Sequence, residues 1–196
     1  MEPDGTIRVD FHAHSNLSDG VLPPDELAEQ VAASGIAAAA LTDHDTLDGL
    51  GAFRRTLQRK GIGFIPGVEV TVQMRGREAH LLAYGFDPSH VELRSALASV
   101  RQWRTTDVHS IASTMRMRGI REAASGNGEH PASAPGGQLD VANGIDLIHR
   151  AGGRAFLAHP FQLEADPERL RELVIQLRAL GLDGLEAIYT PYTTEQ

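Results

Sequence analysis

Short apolar segments alternate with helical patterns along almost the whole chain, and this alternation constrains the fold more than any other feature. Repeated strand–helix–strand units are typical of an α/β fold, in which helical crossovers join parallel strands. Residues 68–72 and 78–83 flank Arg75-Gly76 and predict a hairpin. The predicted strands are residues 7–11, 36–41, 63–66, 154–158 and 185–189, and the predicted helices are residues 23–34, 47–60, 93–117, 141–150 and 167–180.

The chain length predicts a single domain spanning residues 1–196. Residues 121–138 contain Gly, Pro, Ser and Asn without periodicity, which predicts a loop inside that domain. No apolar run approaches the ~20 residues that cross a bilayer. The acidic N-terminal residues lack the apolar segment of a signal peptide. We therefore expect a cytoplasmic protein without a membrane partner.

The chain contains no cysteine, which excludes disulfides, thiolate metal ligands and cysteine nucleophiles. Any metal must be bound by histidines and carboxylates, a ligand set that suits Mn, Zn or Fe. The formal net charge of -8 argues against an extended nucleic-acid surface. A small phosphorylated substrate stays compatible with this charge, because bound metal cations can reverse the sign of the local field.

Several predicted strands end in a residue that can bind a metal ion. In α/β barrels, functional groups gather at the carboxyl ends of the strands, so these side chains should meet. The spacing of His12 and His14 places both imidazoles on one face of a strand. Taken alone, the pair could be two unrelated surface histidines. The whole set favours a metal site, and its members are His12, His14, Asp19, His44, Glu69, His80 and His159.

Some members of this set also have a simpler interpretation without a metal. His44 lies among residues typical of helix N-caps, but we favour a ligand whose ring is oriented by Asp43. Glu69 fits an exposed strand position, whereas metal binding would remove the cost of burying its charge. His80 fits a core or edge position, and only its companions favour a ligand. His159 has better support, because it ends an apolar strand directly before a proline.

Five parts of the chain carry motif-like sequences: residues 10–20 (DFHAHSNLSDG), 41–46 (LTDHDT), 66–69 (PGVE), 80–85 (HLLAYG) and 152–160 (GGRAFLAHP). Together they closely resemble the PHP (polymerase and histidinol phosphatase) family. The branch with the greatest similarity is that of stand-alone phosphoesterases acting on nucleoside 3',5'-bisphosphates and short RNA 5' ends. The resemblance covers residues 7–118 and resumes at about residues 139–190.

The resemblance implies a distorted (β/α)7 barrel, the TIM-like barrel of the PHP fold, with two or three divalent metal ions. By the same resemblance, His12, His14 and Glu69 hold the first ion. Glu69 bridges to a second ion that His80 and His159 also bind, and Glu69 and His159 are the expected catalytic residues. The resemblance assigns the third ion to Asp19 and His44.

The sequence departs from the family pattern in two places. The family has an Asp-x-His pair near its C-terminus, and no such pair follows His159 here. Residues 121–138 resemble a contracted form of a longer middle segment and lack its Arg-Pro-His motif. We therefore expect a barrel that lacks its last βα segment, and we expect the first and third ions each to lose one ligand.

The predicted activity is hydrolysis of a phosphomonoester by a metal-activated water, which requires no serine or cysteine nucleophile. The resemblance indicates a small nucleotide, either a nucleoside 3',5'-bisphosphate or a short RNA 5' end, as the substrate. Arg101 and Arg104 are three residues apart on one helix face and could bind a second phosphate. A solvated helix face is the alternative interpretation for these two arginines.

Two other functions remain open from the sequence. An amidohydrolase-type C–N hydrolase also uses histidines on a barrel, but its expected carboxylated lysine is hard to place. Lys60 is the only lysine, and it falls at a predicted helix end. A non-catalytic metal-binding or regulatory module would explain the absent Asp-x-His pair. Metal content separates these cases, because a complete site predicts about two or three ions per chain and a degenerate module one or none.

Overall fold

The structure is a computed structural model, and it describes residues 7–117 and 138–188, with side chains described for residues 7–104 and 138–188. These ranges contain six strands and six helices. The strands are β1 (Val9–Asp10), β2 (Ala38–Leu41), β3 (Gly63–Met74), β4 (Arg77–Tyr84), β5 (Arg154–Leu157) and β6 (Gly184–Leu185). The helices are α1 (Pro24–Ala33), α2 (Leu50–Arg59), α3 (Val91–Met117), α4 (Val141–Arg150), α5 (Pro160–Leu163) and α6 (Pro167–Ala179).

The strands form one sheet in the order β1-β2-β3-β4-β5-β6. Parallel pairs lie at both edges, where α1, α2 and α6 make the predicted helical crossovers. In the centre, β4 is antiparallel to both β3 and β5. The predicted hairpin is therefore confirmed, and it turns at Arg75 and Gly76, both with positive φ. The expected parallel sheet is interrupted by this hairpin, so the fold is mixed α/β.

The sheet curls so that its two edge strands approach each other. His12 follows β1 and Glu186 follows β6, yet His12 Nδ1 lies 2.8 Å from Glu186 Oε1. A flat sheet would hold these residues five strand spacings apart, at roughly 4.8 Å per spacing. The described part of the chain therefore forms a curled, partial barrel whose edges meet at the carboxyl ends of β1 and β6.

Strand β3 has the hydrophobic core on one face and a polar site on the other. Val68, Val70 and Val72 are all 0% exposed and belong to the core. Alternate residues Glu69 and Thr71 point to the other face and are also buried, although both are polar. Burial of each valine stabilises the fold by on the order of 1.5–3 kcal/mol. The apolar face thus supports a strand whose opposite face carries buried polar groups.

Helices cover the apolar face of the sheet. Helix α4 packs closely on β3 because Gly144 has no side chain, and a Cβ there would lie 2.9 Å from Val72 Cγ1. The same helix begins where the Asp140 carboxylate accepts a hydrogen bond from the Ala142 N–H. Phe53 of α2 is fully buried in the same core. These contacts fix the frame from which the polar face projects.

Some predicted boundaries differ from the structure. The helix predicted at residues 47–60 begins only at Leu50, and the strand predicted at residues 63–66 continues as β3 to Met74. The strand predicted at residues 185–189 ends at Leu185, and residue 189 lies outside the described residues. The predicted loop at residues 121–138 also lies outside them, apart from residue 138. Among the described helices, none is both long and apolar enough to cross a membrane.

Candidate metal centre

Among the residues whose side chains the structure describes, five imidazoles surround the carboxylate of Glu69, which is 1% exposed. They come from four segments that are distant in the sequence. Glu69 Oε2 lies 3.0 Å from His12 Nε2, 3.1 Å from His14 Nε2 and 3.6 Å from His44 Nε2. Its Oε1 lies 2.9 Å from His159 Nε2 and 3.0 Å from His80 Nδ1. The structure therefore brings together every histidine that the sequence proposed as a ligand.

The backbone explains this convergence. His44 follows β2, and it forms an isolated parallel bridge with Glu69 that extends the pairing of β2 with β3. His80 lies opposite Thr71 in the antiparallel register. The amino-terminal half of β4 therefore reaches the same end of the sheet as the carboxyl ends of the parallel strands. His159 lies two residues after the end of β5 and has a positive φ of 28°, which is unusual for a residue other than glycine.

Asp19 completes the predicted set from a more exposed position. Its Oδ1 lies 3.0 Å from His14 Nδ1, and its Oδ2 lies 3.7 Å from His44 Nε2. The side chain is 66% exposed, in contrast to the buried Glu69. Asp19 therefore lies at the open rim of the cluster, where a carboxylate is accessible from solvent.

Among the side chains that the structure describes, three groups have donor atoms within 4.8 Å of one another, close enough to share a metal ion. The first group matches the predicted first ion, and the second contains both predicted ligands of the third ion together with His14. The third group contains Glu69 and His80, two of the three predicted ligands of the second ion. The third predicted ligand, His159, has its Nε2 3.2 Å from His80 Nδ1. The groups are His12–His14–Glu69, His14–Asp19–His44 and His44–Glu69–His80.

The electrostatics of this cluster favour bound positive charge. Burial alone would raise the pKa of Glu69, but hydrogen bonds with surrounding histidines hold that pKa far below its usual range. Burial lowers the pKa of His12, yet hydrogen bonds with Glu186 and Glu69 raise it overall to about 9. His80 shows the same balance, and its partners Glu69 and Glu78 raise its pKa to about 9. The carboxylates thus attract a cation, either a proton or a metal ion.

The donor set itself fits divalent metals. Imidazole nitrogens and carboxylate oxygens are the ligands that Zn, Mn and Fe take in sites without thiolates. Burial lowers the pKa of His44, which keeps its ring neutral and able to donate a lone pair. Among the described residues, His44 Nδ1 is a buried nitrogen without a hydrogen-bond partner. The residues present therefore fit a metal centre built around Glu69.

Two carboxylates beside the cluster are absent from the predicted set. Glu186 lies 2.8 Å from His12 Nδ1, and Glu78 lies 3.0 Å from His80 Nε2. Glu186 directly follows a strand, which is the position that identified the other members of the set. The predicted strand at residues 185–189 extended too far and placed Glu186 inside it. A correct strand end would have drawn attention to this residue.

Asp43 does not hold the His44 ring as the sequence suggested. Its carboxylate accepts hydrogen bonds from the backbone N–H and hydroxyl of Ser15, both at 2.6 Å, and from the hydroxyl of Ser18 at 2.7 Å. It therefore fixes the loop after β1 that bears His14. The neighbouring Asp45 accepts hydrogen bonds from the backbone N–H and hydroxyl of Thr71, both at 2.8 Å.

The predicted phosphate-binding arginines lie beside the cluster and not within it. Arg104 Nη1 lies 3.2 Å from Asp45 Oδ2, one residue beyond His44. Arg101 Nη1 lies 3.6 Å from Asp48 Oδ2. Arg101 also lines a cavity of about 660 Å³ between α3 and the loop that follows His44. Their predicted contact with a second phosphate stays a prediction.

Lysine chemistry does not belong to this cluster. Lys60, which follows α2, has its Nζ 2.6 Å from Glu29 Oε2 of α1, and both side chains are nearly half exposed. The carboxylated lysine of an amidohydrolase-type site therefore has no candidate at the metal centre, since the chain has no other lysine. This geometry disfavours the C–N hydrolase alternative.

A family model described as "PHP domain" matches residues 10–110 of the chain, a range that includes six of the seven predicted ligands. The chain belongs to the PHP family. The resemblance stated from the motifs is therefore confirmed. His159 lies beyond the matched range, so its assignment rests on its 2.9 Å contact with Glu69.

Curated relatives extend the comparison over nearly the whole chain. A 5'-3' exoribonuclease of Haemophilus influenzae is 30% identical, with 97% of this chain and 82% of the relative aligned. A 3',5'-nucleoside bisphosphate phosphatase of Chromobacterium violaceum is 27% identical, with 91% of this chain and 75% of the relative aligned. The predicted enzyme class of metal-dependent phosphoesterase is confirmed by these similarities and the family match.

A solved structure supports the described fold. A protein of Chromobacterium violaceum, described as an amidohydrolase and solved with bound sulfate and no metal, superposes with a TM-score of 0.77. The two chains are 26% identical, and the match covers 91% of this chain and 76% of the other. The two proteins therefore share this fold. The carboxylated lysine of an amidohydrolase-type site has no counterpart in the present cluster, because Lys60 lies beside Glu29.

Proposed function

We propose that this PHP chain hydrolyses phosphomonoesters of small nucleotides at the metal centre around Glu69. The observation that most strongly supports this proposal is a buried carboxylate that contacts five described imidazoles at one end of the sheet. The proposed substrates are nucleoside 3',5'-bisphosphates and short RNA 5' ends. Support for this class comes from the relatives named as a bisphosphate phosphatase and an exoribonuclease.

The proposed cofactors are about two or three divalent ions, of Mn, Zn or Fe, as in two-metal phosphoesterase sites. Such ions, when bound, act as Lewis acids that lower the pKa of water and neutralise charge on phosphate oxygens. Glu69 has two oxygens directed at different histidines, which suits a carboxylate that bridges two ions. The remaining proposed ligands are His12, His14, Asp19, His44, His80 and His159.

The chain's own groups would position the substrate and keep the site ordered. Glu69 and His159 are proposed as the residues closest to the reaction, and their 2.9 Å contact holds them in one geometry. Arg104 and Arg101 are proposed to contact a phosphate group at the rim of the cluster. Arg104 is held by the buried Asp45, so its guanidinium is partly ordered before a substrate binds.

The proposal also covers the architecture, the location and the size of the substrate. The curled six-stranded sheet supports a distorted (β/α)7 barrel as the architecture. A single domain with a contracted loop at about residues 121–138 is proposed from the sequence. A cytoplasmic location, expected from the sequence, stays a proposal. The net charge of -8 supports a small substrate over an extended nucleic acid.

A direct assay tests the activity. Purified protein with measured metal content is incubated with Mn or Zn and either 3'-phosphoadenosine 5'-phosphate or p-nitrophenyl phosphate. We expect phosphate release that depends on the metal and that Glu69→Gln abolishes in a parallel preparation. A metal-loaded protein that releases no phosphate from either substrate would overturn the catalytic proposal and favour the non-catalytic metal-binding module.

A further inference from the structure

Glu186 occupies a fixed position between two proposed metal ligands. Its backbone N–H donates to the Leu157 carbonyl at 2.9 Å, which continues the pairing of β6 with β5. From this anchor, Oε1 lies 2.8 Å from His12 Nδ1. Oε2 accepts a hydrogen bond from the backbone N–H of His159 at 2.8 Å. The side chain is only 9% exposed, so water competes weakly for these contacts.

The contact with His12 determines which ring nitrogen is available to a cation. An ionised carboxylate only accepts hydrogen bonds, so Nδ1 of His12 must carry a proton to bind Glu186. The other ring nitrogen, Nε2, lies 3.0 Å from Glu69 Oε2, at the centre of the cluster. A hydrogen bond from one imidazole nitrogen to a carboxylate is the usual way in which proteins orient a metal-binding histidine.

The second oxygen of Glu186 acts on the backbone of another ligand. His159 has φ of 28° and ψ of 59°, a left-handed conformation that carries an energetic cost for a residue other than glycine. The hydrogen bond from its N–H to Glu186 offsets part of this cost. This backbone turn directs the imidazole back toward Glu69, where Nε2 lies 2.9 Å from Oε1.

We propose that Glu186 is a positioning residue of the metal centre. It sets Nε2 as the ligand atom of His12 and holds the backbone turn at His159, so that one carboxylate orders a ligand that follows β1 and a ligand that follows β5. This inference rests on the proposed metal-dependent function and deepens it by adding a residue outside the predicted ligand set.

Glu78 offers a matched comparison. It lies 3.0 Å from His80 Nε2 and leaves His80 Nδ1 facing Glu69. Glu78, however, is 42% exposed, and among the described residues its carboxylate contacts a single donor, His80 Nε2. An amide can replace such an acceptor through its one oxygen. At Glu186 an amide offers one acceptor to two donors, so Glu186→Gln must lose one contact, whereas Glu78→Gln keeps its own.

The test compares zinc binding by wild type, Glu186→Gln and Glu78→Gln, with Glu172→Gln on the exposed surface of α6 as a control. Folding is checked by circular dichroism, and zinc affinity is measured with a competing chelator. We expect Glu186→Gln to weaken zinc binding by about 10–100-fold, the usual cost of losing such a partner. Glu78→Gln should weaken it less, and Glu172→Gln should leave it unchanged. Equal affinity in wild type and Glu186→Gln would overturn the proposal.

A spectroscopic measurement tests the same idea without a variant. Nitrogen-15 NMR of the zinc-loaded wild type should show His12 with Nδ1 protonated and Nε2 bound to zinc. The opposite tautomer would overturn the proposal even if Glu186→Gln fails to fold. If wild type binds zinc with the expected tautomer but hydrolyses no phosphoester, the proposed function fails and the positioning role stands. If wild type is active while Glu186→Gln keeps normal affinity and tautomer, only the positioning role fails.

Discussion

The carboxylate of Asp43 binds Ser15 at two points, with the backbone N–H and the hydroxyl each 2.6 Å from a different carboxylate oxygen. Ser18 donates to the same carboxylate. Asp43 is 1% exposed and lies directly before His44. It therefore ties the loop that carries His14 and Asp19 to the strand end that carries His44.

Asp43→Asn should loosen this loop. An amide has one acceptor oxygen and adds donors that face the donors of Ser15, so at least one buried hydrogen bond is lost. We expect the free energy of unfolding to fall by about 1–3 kcal/mol. Bound metal should also fall, since His14 and Asp19 lose their fixed position. Chemical denaturation and metal analysis measure both effects. Asp25→Asn, on the exposed first turn of α1, is the control, and equal losses in both variants would contradict the argument.

Gly20 should not tolerate a side chain. An added Cβ would lie 2.1 Å from the backbone oxygen of His14, which cannot move away as a flexible side chain could. Gly20→Ala should therefore displace the loop and reduce metal binding by more than about tenfold. Gly51→Ala is a matched control, because its Cβ would meet only the flexible end of Arg55 at 3.4 Å. In a helix that change should stabilise by roughly 0.5–1 kcal/mol. Normal metal affinity in Gly20→Ala would refute this prediction.

The proposed ligand set could be predicted from the sequence because it depends on local patterns. Strand ends are marked by the change from apolar to polar residues, and the rule that such ends meet placed His12, His44, Glu69 and His159 together. His80 fitted the rule only because β4 runs antiparallel, which brings its first half to the same end. The motif resemblance supported the same residues independently.

The hydrogen-bond partners of these proposed ligands could not be predicted from local sequence patterns. Glu186 and His12 are 174 residues apart, and their contact depends on how far the sheet curls. No local pattern encodes that curvature. Asp43 has the spacing of a partner for His44, yet its oxygens are used by Ser15 and Ser18, because the loop after β1 folds back over the end of β2. Such choices depend on three-dimensional packing.

Glu69→Gln should remove the proposed bridge between metal ions. The amide keeps the shape of the side chain but loses its charge and one acceptor oxygen. We expect fewer bound ions per chain and a fall in kcat of more than about 100-fold. This exceeds the loss usually seen when a residue that only hydrogen-bonds to a metal ligand is replaced. Metal analysis and phosphate release on the same preparation measure the two effects. Retained activity with unchanged metal content would exclude the bridging role.

Chelation should inactivate the protein reversibly. Removing the ions takes away the cations that offset the charge of Glu69, and the folded state also loses the binding energy of the metal. At a free metal concentration of 100 times Kd, binding one ion should stabilise the protein by about 2.7 kcal/mol. Thermal unfolding should therefore shift to lower temperature after EDTA treatment and recover with added Mn or Zn. An unchanged transition would indicate that the cluster binds no metal.

Asp183 should make stability depend on acidic pH. Burial tends to raise its pKa, but hydrogen bonds with His149, the Ala155 N–H and Arg154 lower the pKa from 3.8 to about 2. Because the folded pKa lies below the unfolded value, this stabilisation is complete above about pH 4 and is lost as the pH falls toward 2. At pH 7, Asp183→Asn should cost roughly 1.5–3 kcal/mol, the usual value for hydrogen bonds to a charged group. Urea unfolding of both metal-free proteins should show this difference shrinking between pH 4 and pH 2, in proportion to protonation of the carboxylate. A difference that stays constant from pH 7 to pH 2 would mean that the shape of the side chain, and not its charge, holds β5 to β6.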